Sequence, residues 1–245
     1  MNRHSETVKL LKELKLNGVV ESLDEIITEA EQSSASLSSF LAEVLKSEQN
    51  ARSSKRLRRN LTAAHFPSSK TFDDFSAANI KGISKSDISA LKDLRWLDNH
   101  ENILFFGPPG LGKTHLAISA GIAAVEAGYT VCFERVTNLL KILKTAEIQR
   151  VSAFRINRIL KSDLVIIDEI GYTPIEKREA NLFFNLISEL YEKASVIITS
   201  NKGFDDWAEM MGDEIMTSAM LDRLLHHARI FNLNGKSYRV SGKEN

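Results

Sequence analysis

The 245 residues contain one cysteine, Cys132. A single thiol excludes a disulfide framework and any metal site built from cysteines alone. It lies in the apolar run TVCFE, where a small buried hydrophobe is the simplest reading. There is no N-terminal apolar stretch of the signal-peptide kind. No run approaches the roughly 18 apolar residues that a membrane helix needs. The expectation is a soluble, cytoplasmic protein without a membrane partner. An excess of one charge is also lacking: Lys+Arg and Asp+Glu each total 32, for a formal net charge of +0. Overall charge therefore says nothing about a polyanionic partner, and only local clusters inform.

The length and the 43% hydrophobic composition suit one ordinary domain plus a small appendage. Residues 5–62 read as helices. Val8, Leu11 and Leu14, with Leu10 alongside, share one face, as do Val19, Leu23, Ile26 and Ile27. Past the serine-rich stretch 33–39, Leu37, Phe40, Leu41, Val44 and Leu45 repeat the pattern. Pro67 in HFPSS marks the expected boundary between a small all-α domain, residues 1–67, and a second domain, residues 68–245. From residue 102 onward, strands alternate with helices: NILFFG, TVCFERV, DLVIIDE, SVIITSN and ARIFNL, with helices over 113–127 and 177–193 among those between them. The later helix carries Phe183, Leu186, Ile187 and Leu190 on one stripe. This is the α/β pattern of a five-stranded parallel sheet covered on both faces. Residues 234–245 are too few for another folded domain.

GPPGLGKTH, residues 107–115, fits G-x-x-x-x-G-K-[ST] between a strand and a helix. It comprises Gly107, Pro108, Pro109, Gly110, Leu111, Gly112, Lys113, Thr114 and His115. Its glycines let backbone N–H groups approach phosphates. Lys113 places a charge on the β and γ oxygens, and the Thr114 hydroxyl ligates Mg²⁺. The helix that follows aims its N-terminus at the anion. In DLVIIDEIG the strand ends on Asp168 and Glu169, at the carboxyl edge where open α/β sheets bind ligands. Asp168 would hold Mg²⁺ through its water shell, and Glu169 would orient or polarise the attacking water. VIITSN ends on Asn201, either a contact to the γ-phosphate and the water or a turn asparagine.

Two decoys point to a guanine switch. DEIG fits D-x-x-G, and NKGF nearly fits N-K-x-D, but Phe204 stands where a carboxylate must accept the guanine protons. ATP is the expected nucleotide. A small-molecule kinase would need lid segments that the sequence does not show. In SAMLDRLLHHARIFNL, Arg223 is either a solvated helix arginine or a finger that stabilises charge on a neighbour's transferring phosphoryl group. Arg229 is the second candidate. His226 and His227 lack a second ligand pair at zinc spacing and read as polar helix-end residues.

Taken together, GPPGLGKTH, DLVIIDEIGY, TSN and LDRLLHH with the later NGKSYR resemble the IstB family. Its members are AAA+ helper ATPases encoded beside a transposase in bacterial insertion sequences. AGYTVCF, FFNLISELYE and HFPSSKTFDDF extend the resemblance over most of the chain, and helicase loaders of the DnaC type are similar in the ATPase core. The resemblance implies a homo-oligomer with ATP and Mg²⁺ at subunit interfaces. It also implies assembly on duplex DNA, recruitment of the cognate transposase, and a sheet not followed by the usual helical lid. By motif, Gly107 to Thr114 bind phosphates, Asp168 and Glu169 serve Mg²⁺ and hydrolysis, Asn201 is the first sensor and Arg223 the finger. Phe72 and Phe75 in TFDDF either pack on the base or anchor the linker. A helicase loader acting with single-stranded DNA is the alternative function.

Counterion release supplies most non-specific DNA affinity, so basic clusters are the candidate contacts. Arg52, Lys55, Arg56 and Arg59 fall on one helix face, with Arg58 nearby. That stripe is either a DNA track or a solvated face. The segment 144–161 carries Lys144, Arg150, Arg155, Arg158 and Lys161. The resemblance would put it toward a central pore, with Arg150, Arg155 and Arg158 as its DNA contacts.

Overall fold

A computed structural model describes residues 3–77 and 80–238. The chain separates into two compact units, residues 1–59 and 60–245. The first holds α1 (Arg3–Glu13), α2 (Asn17–Gln32) and most of α3 (Leu37–Ala64). The division falls inside α3 and not at Pro67. The basic run 52–60 contains no helix breaker, so the helix passes through it.

Within this first unit, Glu48 of α3 is 7% exposed and accepts the Gly18 and Val19 N–H groups at the start of α2, at 2.8 and 3.3 Å. It also accepts the Arg52 guanidinium at 2.7 Å, the largest cause holding its carboxyl below the usual range. Val19 and Leu23 are buried. Leu10, Leu14, Leu37, Leu41 and Leu45 are exposed, so the expected apolar faces close only in part. Periodicity names a face but not what covers it, and so short a unit has little to cover it with.

The second unit continues with β1 (Ile80–Lys81), α4 (Lys85–Lys92), α5 (Arg95–Asp98), β2 (Asn102–Phe106), α6 (Lys113–Glu126), β3 (Val131–Arg135) and α7 (Val136–Thr145). Then come α8 (Arg150–Ile159), β4 (Leu164–Ile170), α9 (Lys177–Leu190), β5 (Ser195–Ser200), α10 (Phe204–Met211), α11 (Glu214–Leu225), β6 (Ala228–Asn232) and β7 (Asn234–Gly235). Five strands form one parallel sheet in the order β3-β4-β5-β2-β6, while β1 and β7 pair antiparallel. The near-continuous apolar runs of β2, β4 and β5 are buried because helices cover both faces of a parallel sheet. The α9 stripe Phe183, Leu186, Ile187 and Leu190 is buried, as its spacing predicts. This strand order sets β5 between β4 and β2, so the three strands that carry the motifs end side by side on one edge. Among the described residues no helical lid follows β6; residues 239–245 lie outside the described residues.

Candidate nucleotide site

The loop after β2 turns through Gly107, Gly110 and Gly112, all at positive φ, and feeds α6 at Lys113. Lys113 is 8% exposed, and its ammonium donates to the Gly107 and Pro108 carbonyls at 2.6 and 2.8 Å. A buried ammonium there, beside the first free N–H groups of a helix, makes an anion site. Leu111 is 1% exposed, so its side chain belongs to the core and only its backbone can serve a phosphate.

Asp168 is fully buried. Its Oδ1 accepts the hydroxyls of Thr114 at 2.8 Å and Thr199 at 2.6 Å. Its Oδ2 has no hydrogen-bond partner. A buried carboxylate oxygen left bare is costly, and a hard cation satisfies it. The donors fit Mg²⁺, which takes oxygen ligands and usually uses one or two carboxylates together with phosphates. Among the described residues no larger cluster of His, Cys, Asp or Glu side chains suits a metal, and such a Mg²⁺ site does not need one.

Glu169 follows at φ 67, in the left-handed region that side chains rarely adopt. The register of β4 against β5 slips between Ile167 and Ile170, so Asp168 and Glu169 sit in a β-bulge. The bulge re-aims Glu169 into the cleft, and its N–H donates to Thr199 Oγ1 at 3.0 Å. Thr199 therefore ties both acidic residues to the end of β5. Arg135 Nε lies 3.4 Å from Glu169 Oε2. It closes β3, and its Cα stands opposite Asp168 in the ladder. Sequence reading misses Arg135 and Thr199, because their roles depend on which strands are neighbours.

Asn201 follows β5 and lines the same cleft, with Oδ1 buried and unpartnered. The cleft has a volume of about 640 Å³ and is lined by Pro109, Gly110, Gly112, Lys113, Thr114, His115, Glu169 and Asn201, among others. Phe75 also lines it, with a ring edge 2.6 Å from where a Cβ on Gly112 would stand. Phe72 is buried outside the cleft, under the Lys92 ammonium 5.7 Å from its ring, and so anchors the linker.

Arg223 does not line its own chain's nucleotide cleft. It lies 5.0 Å from the Phe184 ring centroid, donates to the Ala219 carbonyl at 2.7 Å, and borders a separate cavity with Asn102, the first residue of β2. Arg229 is bound to Glu101 at 2.6 Å, and that bond is the main cause holding the Glu101 carboxyl low. His226 shares a 2.9 Å hydrogen bond with the Tyr191 hydroxyl.

One expected DNA contact is corrected. Arg155 is 8% exposed, pairs with the buried Glu134 at 2.5 Å, and donates to the Phe133 and Ala63 carbonyls. Its guanidinium is a core group, unavailable to a phosphate backbone. Arg150 is exposed and Arg158 half-buried on the same helix.

A profile of IstB-like ATP binding proteins matches residues 9–245. The chain is similar to a protein named as an ATP-binding protein of insertion sequence IS21 from Pseudomonas aeruginosa, at 38% identity over 96% of this chain and 88% of that protein. A counterpart named for insertion sequence IS5376 from Geobacillus stearothermophilus is 39% identical over 85% of this chain and 83% of that one. Among solved structures, DnaI matches with a TM-score of 0.56 at 15% identity, over 67% of this chain and 91% of that chain. AMPPCP-bound DnaA from Aquifex aeolicus matches with a TM-score of 0.51 at 21% identity, over 66% and 48%. These two likenesses show a shared α/β fold.

Proposed function

Because the chain belongs to the family of IstB-like ATP binding proteins, we propose that it is a Mg²⁺-dependent ATPase that assembles on duplex DNA and brings that DNA to the transposase of an insertion sequence. The observation that carries the chemistry is Asp168, wholly buried, hydrogen-bonded by Thr114 and Thr199 through one oxygen and bare on the other. Such an arrangement suits a cation beside a triphosphate.

In this reading the loop amides and Lys113 cradle the β- and γ-phosphates. Thr114 and Asp168 hold Mg²⁺, which neutralises phosphate charge when bound. Glu169 orients a water in line with the γ-phosphorus and takes its proton as the bond to the β–γ bridging oxygen breaks. Asn201 fixes that water or a γ-oxygen. Charge growing on the transferred group needs a further cation. Arg223 lies away from its own cleft, which is where a finger serving a neighbouring subunit belongs. DNA contacts come from Arg52, Lys55, Arg56 and Arg59 of α3 and from Arg150 and Arg158 of α8. The alternative of a helicase loader rests on fold alone, whereas the names of the relatives favour transposition.

Glu169→Gln tests the assignment. Hydrolysis is expected to fall at least a hundredfold, the size typical of losing a general base. ATP binding stays intact and ATP-dependent assembly on duplex DNA persists. Loss of assembly with ATP binding retained contradicts the role of Glu169, and assembly only on single-stranded DNA favours the loader.

A further inference from the structure

Gly107 and Gly110 have a reason to be glycine beyond the phosphates. A Cβ on Gly107 would collide with the Leu233 carbonyl oxygen, and one on Gly110 with the Ser237 hydroxyl. The segment after β6 therefore lies directly against the phosphate loop. It is tied there at both ends. The Leu233 N–H donates to the Phe106 carbonyl at 2.8 Å, and the Tyr238 N–H donates to the Gly110 carbonyl at 3.0 Å. Between these ties β7 pairs with β1. The Tyr238 side chain is 37% exposed and lines the nucleotide cleft.

Phe75 approaches the same loop on a segment from the other end of the unit. Its ring covers Gly112 and lies 5.5 Å from the His115 ring. The remaining tyrosine of the cleft, Tyr172, stands just past Glu169 and belongs to the hydrolytic end. With the phosphate chain along Gly112–Thr114 and its γ end at Glu169 and Asn201, the base must lie away from those residues. Beyond His115, whose ring packs against Phe75 just past the phosphate loop, the rings left to receive it are Phe75 and Tyr238.

We propose that Tyr238 is a specificity-determining residue of the nucleotide site: the strap Leu233–Tyr238 holds its ring on the phosphate loop as a stacking wall for the base, opposite in sequence to Phe75. This rests on the reading of the cleft as an ATP site. A base stacked on an aromatic ring gains enough to decide between a nucleotide and a bare polyphosphate.

Calorimetric titration of the full chain with Mg-ATP and with Mg-tripolyphosphate separates base from phosphate contacts. For Tyr238→Ala the expected result is ATP affinity weakened about tenfold, the order of one lost base–aromatic stack, with tripolyphosphate affinity unchanged. Tyr238→Phe, which keeps the ring, binds both like wild type. Equal weakening toward both ligands would make the strap a brace for the loop and overturn the proposal, as would an unchanged ATP affinity or a Phe variant as weak as the Ala one. Wild-type protein that binds tripolyphosphate as tightly as ATP overturns the proposal while the phosphate site stands. Wild-type protein that binds neither overturns the ATP site as well.

Discussion

Arg155 and Arg135 lie on neighbouring elements of the second unit, and their surroundings give them different work. Arg155 is buried against Glu134, so removing it strands an uncompensated charge in the core. Arg155→Ala is expected to destabilise the protein by about 3–5 kcal/mol, measured by denaturant unfolding, with any loss of DNA affinity following from unfolding. A stable variant with weakened DNA binding would restore it as a DNA contact. Arg135 is half exposed and holds the carboxylate of Glu169. If that pairing restrains the carboxylate from water, Arg135→Ala raises the DNA-free ATPase rate severalfold; a lower rate would make Arg135 part of the hydrolytic machinery. Ser152, Arg155 and Ile159 form the buried face of α8, but only Ile159 is apolar, so apolar periodicity does not mark Arg155 as buried. Glu134, the partner that makes the burial tolerable, is visible only once β3 and α8 are packed together.

At the scale of elements, legibility divides by range. The phosphate loop, the acidic end of β4 and the amide after β5 are each encoded in a few consecutive residues, and their neighbouring strand and helix patterns are local too. All three converge in one cleft. Thr199, the bulge at Asp168 and Glu169, and the strap at Gly110 depend on strand order and register, which apolar alternation does not specify. The N-terminal helices were legible as helices, but the exposure of Leu37 and Leu45 was not. Register also bears on the edge strand β6, where Arg229 pairs with Glu101 just before β2. The Glu101 carboxyl is held below its ordinary value chiefly by Arg229, so the pair favours the fold at pH above the ordinary glutamate value. That contribution disappears as pH falls through the lowered value. Glu101→Gln is expected to cost less than about 1 kcal/mol at neutral pH, since both groups are partly exposed. Thermal unfolding of variant and wild type should converge on acidification; a gap that widens at low pH would contradict this.

For the whole molecule, Arg223 stands apart from the cleft of its own chain, and in the proposed function a second copy would complete the site. The assembly this proposal calls for is closed or helical with head-to-tail contacts, so that each subunit would supply one arginine to its neighbour's nucleotide. In that proposal assembly and hydrolysis would be coupled, and DNA that organises the subunits would control both. The most direct measurement is ATP turnover on duplex DNA by Lys113→Ala and Arg223→Ala proteins, assayed separately and mixed. Each alone is expected to be nearly inactive. The mixture should regain turnover, because an intact loop on an Arg223→Ala subunit can meet an intact arginine on a Lys113→Ala subunit. No recovery at any mixing ratio, with both variants folded and still assembling, would contradict the shared site.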